Sequence, residues 1–170
     1  MNEIREIVTK AVIGKGKKLI KINNEIESQQ SIDSILGCWI INHSFKAELD
    51  NNNVEVNGSY EINIWYSLNN NTETDVLKET VQYQETIKTR QIIDDIDKDC
   101  RDVIVRAIQK PTCTNAEITE NGVCVTVVIE MIGEIIGETK MIVNVFSKDE
   151  VKEDFVDDFE NEINEDFLNC

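Results

Sequence analysis

Residues 54–66 read VEVNGSYEINIWY. Val54, Val56, Gly58, Tyr60, Ile62, Ile64 and Tyr66 share one parity, and Glu55, Asn57, Ser59, Glu61 and Asn63 share the other. Successive side chains of a strand point to opposite faces, so this alternation predicts a strand with one face on a core and one in water. The DNNN at 50–53 is a turn signal, and residues 36–49 upstream are also strand-like. Residues 36–66 therefore predict a long hairpin.

Period two continues on either side. Residues 4–13 and 17–27 flank GKG at 14–16, whose glycines suit a bend or bulge. A more polar strand over 76–89 follows the loop SLNNNTETD, and RQIIDDIDKDC at 90–100 is an acidic connector. Residues 102–109 lead to Pro111, which cannot donate to a ladder and suggests a strand end. Residues 112–118 and 123–132 are joined by TENG, and a last strand over 134–146 carries Ile135, Met141, Val143 and Val145 on one face. Leu is scarce while Ile and Val are plentiful, and β-branched residues suit a pleated surface. The expected fold is all-β: an antiparallel β-sandwich-like domain of about eight strands over residues 1–147.

The net charge is −16, which argues against phosphate-mediated binding of nucleic acid. Half of it lies in residues 148–170, KDEVKEDFVDDFENEINEDFLNC, with ten acids and two bases. In this acidic tail Val151, Phe155, Phe159, Ile163 and Phe167 recur every four residues. On a helix they would wind as a broad apolar ridge. The tail reads equally as a helix capping the sandwich or as an acidic-hydrophobic segment that folds onto a partner. No apolar run approaches the ~18 residues of a membrane span. The segment MNEIREIVTK lacks the apolar stretch of a signal peptide, which predicts synthesis and use in a cytoplasm.

Candidate chemistry is sparse. In SILGCWIINHSF at 34–45, Cys38 and His43, the chain's one histidine, lie five apart. In one regular strand Cys38 would point with Leu36 and Ile40, and His43 with Trp39, Ile41, Phe45 and Ala47. In a regular strand the pair therefore cannot share a metal; a bulge would bring the two together, but nothing in the sequence demands one, and His43 reads as a hydrogen-bonded packing residue. The cysteines Cys38, Cys100, Cys113, Cys124 and Cys170 include no C-x-x-C pair, so neither a zinc site nor a disulfide framework is expected. No nucleophile, phosphate-loop or metalloprotease signature is present, and neither catalytic residues nor a cofactor is expected. Lys10, Lys15, Lys17, Lys18 and Lys21 form a basic stretch with no acid among residues 7–24. They read as a lysine-protected edge, or as a patch that receives the acidic tail of another subunit. Glu3, Glu79 and Glu85 sit near or on otherwise apolar faces, either as edge protection or on surfaces completed by a neighbouring chain.

Several stretches together resemble the spore coat morphogenetic protein CotE family of endospore-forming Firmicutes. They are REIVTKAVIGKGKK at 5–18, SILGCWIINH at 34–43, VEVNGSYEINIWYS at 54–67, IQKPTC at 108–113 and GETKMIVNV at 137–145, followed by an acidic tail. The resemblance implies a non-enzymatic scaffold made in the mother-cell cytoplasm during sporulation and then held in the spore coat, at the boundary of its inner and outer layers. It also implies partners: further copies of the chain, the ATPase of the basement layer, and outer-coat or exosporium proteins. The family gives no role to Cys170, which is a candidate for covalent links between chains under oxidising conditions. The alternative from another class is a monomeric peptide- or ligand-binding β-sandwich.

Overall fold

The alternation of residues 54–66 is realised in β3 (Asn53–Leu68). Val54, Val56, Ile62 and Ile64 are fully buried and Tyr60 and Tyr66 nearly so, while the other parity ends on an exposed Trp65. The computed structural model describes residues 3–146. In it β3 is the centre of a three-stranded antiparallel sheet, between β2 (Ser34–Asp50) and β4 (Glu73–Lys88). Asparagines make the turns. Asn51 between β2 and β3, and Asn69, Asn70 and Asn71 between β3 and β4, all have positive φ, a conformation asparagine tolerates better than most residues.

The second sheet runs in the order β5 (Arg90–Gln91), β1 (Glu3–Glu27), β7 (Gly122–Val145), β6 (Asp102–Ile118). β6 and β7 are antiparallel. Contacts between β1 and β7 have falling partner numbers, Lys15 with Glu134, Lys17 with Glu130, and the Ser28 amide with the Asn121 carbonyl. That sense marks an antiparallel pair as well. Val123, Val125, Val127, Ile129 and Met131 of β7 have no exposure. They share one core with the inner face of β3, and Gly133 of β7 lies against Val54 and Ile87. Two sheets with alternating inner faces and a common core form a β-sandwich. Residues 10–139 make one compact unit, which holds this core. Residues 3–9 and 140–146 belong to a second, where Lys140 pairs with Glu6 at 3.3 Å and Ile4, Val8, Ile142 and Phe146 are exposed.

The strands are fewer and longer than the sequence suggests: seven among the described residues, one of two residues. β1 runs unbroken through GKG. Its Gly16 is a point of close approach, because a Cβ there would overlap the Lys88 carbonyl oxygen. β6 runs through Pro111 and does not end there. It is the sheet's edge strand, and Pro111 lies within the register shift between Gln109 and Thr112, so the ladder accommodates its missing donor. β7 likewise continues through Gly133. The acidic connector is anchored by Arg101, whose guanidinium grips Asp95 through two hydrogen bonds of 2.7 and 2.9 Å and reaches Asn52 at 2.9 Å. Both side chains of this ion pair are nearly buried, and the guanidinium hydrogen bond holds the Asp95 carboxyl below the usual carboxylate range. The tail over 148–170, and the domain boundary before it, lie outside the described residues.

Gly58 opposes Phe45 on one side and Tyr83 on the other. The Tyr83 ring lies over it, so that a Cβ at Gly58 would come within 2.5 Å of the ring. Gly58→Ala is therefore expected to cost about 1–3 kcal/mol, the range of overpacking, despite the better strand propensity of alanine. Urea unfolding checks this; an unchanged midpoint would show that Tyr83 does not seal the core here.

Candidate functional site

The segment that looked most like chemistry, residues 34–45, departs from regular alternation. Asn42 has φ 54°, and the β2–β3 register shifts between Ile41 and Ser44. This bulge adds a residue and inverts parity beyond it. Cys38, Ile40, His43, Phe45 and Ala47 therefore all face inward, while Trp39 and Ile41 face solvent. The expectation that His43 points with Trp39 and Ile41, opposite to Cys38, is corrected. Regular parity fails because one residue of the strand is left-handed, and asparagine is among the residues that allow it.

The shared face still does not make a nucleophile and base. His43 Nε2 lies 2.7 Å from the Tyr83 hydroxyl. Its ring is 5.4 Å from Phe45 and stacks at 6.0 Å on Tyr83, which in turn tilts against Tyr60 at 5.9 Å. Burial, then the nearby Lys110 charge, lower the His43 pKa. Burial, then Tyr60, push the Tyr83 hydroxyl up to about 12. Both groups are thus neutral, and the imidazole tautomer sets which of the two donates. Burial first, and then the neighbouring Cys113 thiol of β6, push the Cys38 pKa up to about 12. A thiol held protonated is a weak nucleophile. Among the described residues no cluster of His, Cys, Asp and Glu is placed to hold a metal ion, and no helix is long and apolar enough to cross a membrane.

The five lysines lie along β1, and four have carboxylate partners. Lys10 pairs with Asp102 at 2.9 Å, Lys15 with Glu134 at 2.9 Å, Lys17 with Glu130 at 2.8 Å and Lys18 with Glu85 at 2.6 Å. Lys18 turns inward and also donates to the Thr86 carbonyl of β4. Lys15, Lys17 and Lys21 alternate outward with an exposed Leu19, and Lys21 makes no ion pair among the described residues. Glu79 and Glu85 lie on β4, an edge strand, opposite Ile62 and Val56. The ridge Val151, Phe155, Phe159, Ile163 and Phe167, and Cys170, lie outside the described residues.

Two surface features were not singled out from the sequence. One is a concavity of about 580 Å³ lined by Ser44, Lys46, Asn57, Ser59, Gln82 and Gln84 on the β2–β3–β4 sheet. The other is an apolar area on the same sheet around Trp39 and Trp65, each 43% exposed. Its signal was available: the outward parity Glu61, Asn63 continues to Trp65.

His43 gives a pH test. Its folded pKa lies below its unfolded value of about 6.5. Its contribution to stability is therefore complete above pH ~6.5 and declines as pH falls towards the folded pKa, because the unfolded chain takes up the proton first. The urea midpoint should fall between pH 8 and pH 5, and His43→Gln should flatten that part of the profile. Equal slopes in both proteins would contradict a neutral, part-buried His43.

No curated protein and no solved structure matches the chain. A family model described as outer spore coat protein E (CotE) matches residues 3–169, nearly the whole length. The family is a structural one of the spore coat, and this chain, with its solid β-sandwich core, belongs to the outer spore coat protein E (CotE) family.

Proposed function

We propose that the chain is a non-enzymatic scaffold that self-assembles in the mother-cell cytoplasm, joins the coat around the developing spore and recruits outer-coat proteins. The match of the family across residues 3–169 carries this reading. The described residues add support of a physical kind. Their inward-facing polar groups are engaged in packing and hydrogen bonds, while large apolar side chains remain on outer surfaces, as suits a protein that works by contact. In the layered coat, the inner side would face the basement-layer ATPase and the outer side the coat or exosporium proteins.

The tail and the lysine stripe fit together in this scheme. The ridge Val151, Phe155, Phe159, Ile163 and Phe167 of one copy would lie along Lys15, Lys17, Leu19 and Lys21 of another. Lys15 and Lys17 already have partners in their own sheet. Exchanging the carboxylate partner of an exposed lysine for another gains little, so the apolar ridge would supply the affinity and the charges the orientation. Cys170 would form interchain disulfides once the surroundings become oxidising. The concavity of about 580 Å³ favours a second reading, a monomeric ligand-binding module.

Sedimentation separates the two readings. A scaffold gives species far heavier than 19.5 kDa, whereas a single species near 19.5 kDa would overturn it. Deleting residues 148–170 should weaken association in low salt, and unchanged assembly would remove the tail from the account. Non-reducing gels of assembled material should show dimers that vanish in Cys170→Ser; a persistent ladder would assign the link to another residue.

A further inference from the structure

We propose that the solvent face of the β2–β3–β4 sheet around Trp39 and Trp65 is a contact surface between two copies of this chain, an inference that rests on the self-assembling reading. Three adjoining cross-strand rows define the face: Gly37–Trp65–Val76, Trp39–Asn63–Lys78 and Ile41–Glu61–Thr80. Trp39, Trp65, Ile41 and Val76 are all about two-fifths exposed, and Leu36 at the neighbouring register shift more so. Large apolar side chains gathered on one sheet face mark a surface that is covered in use.

Asn63 is 3% exposed between the two tryptophans, and its amide donates to Glu61 Oε1 at 2.9 Å. Covering the face calls for one donor from the other copy, because Asn63 Oδ1 accepts no hydrogen bond among the described residues.

Charge identifies the occupant as a second copy. The chain carries −16, so two copies repel over most of their surfaces. These rows hold one acid and one base, Glu61 and Lys78, on neighbouring strands in successive rows, and neither makes an ion pair among the described residues. A two-fold axis lying in the face, across the strands between those rows, brings Lys78 of each copy towards Glu61 of the other. The same axis sets Trp39 of each copy against Ile41 of the other. An isologous contact is self-complementary in this way, whereas a strongly acidic or basic partner leaves one charge opposed.

The two tryptophans are the only ones in the chain, so intrinsic emission reports on this face alone. With the full-length protein, assembly followed by sedimentation should be accompanied by a blue shift and a severalfold fall in acrylamide quenching. Trp39→Ala and Trp65→Ala, both at exposed positions, should raise the concentration needed for assembly about tenfold or more while leaving circular dichroism unchanged. Lys78→Glu and Glu61→Lys should each weaken assembly, and the two together should restore it. Assembly with unchanged quenching and unaffected variants would overturn this face while leaving the scaffold reading intact. Absence of assembly at any concentration would overturn both.

Discussion

The structure depends on the dry contact between β3 and β7. Each is the middle strand of its sheet's long strands, and each presents a largely β-branched or aromatic face to the other sheet, interrupted at Gly58 in β3 and at Met131 and Gly133 in β7. Val54, Val56, Ile62 and Ile64 meet Val123, Val125, Val127 and Ile129 with no exposure on either side. Each such side chain contributes roughly 1.5–3 kcal/mol on burial, and a one-residue slip of either strand would turn its set outward. Register is thus enforced by the core, and the flanking strands inherit it through their ladders. Polar groups in the core fit the same rule: the Asn24 amide meets the Tyr60 hydroxyl, and Tyr83 meets His43.

This constraint explains which parts of the fold could be read from the sequence. β3 and the inner face of β7 show strict alternation because both lie at sheet centres with one wet face, so their periodicity and their burial coincide. Breaks were harder to place. Gly16 of GKG serves close backbone approach beside Lys88, and Pro111 sits at a sheet edge where a ladder bond is dispensable. Composition alone does not separate these roles from a bend or a strand end. The Arg101–Asp95 fork, which ties the connector down beside Asn52, is a pairing six residues apart in a loop and leaves no periodic trace.

The bulge at Asn42 has the largest consequence for function. It brings His43 onto the face of Cys38 and leaves Trp39 and Ile41 outside. One left-handed residue therefore does two things at once. It completes the inner wall with an imidazole bonded to Tyr83, and it leaves Trp39 in the outer rows beside Asn63. Periodicity could not reveal this, because a bulge interrupts the period from which parity is inferred. Membership of a coat-protein family makes the outer surface the place to look for function, and the core then matters as the rigid support that holds that surface in shape.

The central claim is that intact sandwiches, each with its own β3–β7 core, are the units that assemble. Hydrogen–deuterium exchange of the full-length protein before and after assembly tests it most directly. The account predicts that the amides of β3 and β7 between Val54 and Ile64 and between Val123 and Met131 exchange slowest in both states, with no gain on assembly. If those central amides become protected only when copies assemble, the core forms between chains by strand exchange, and the account is contradicted.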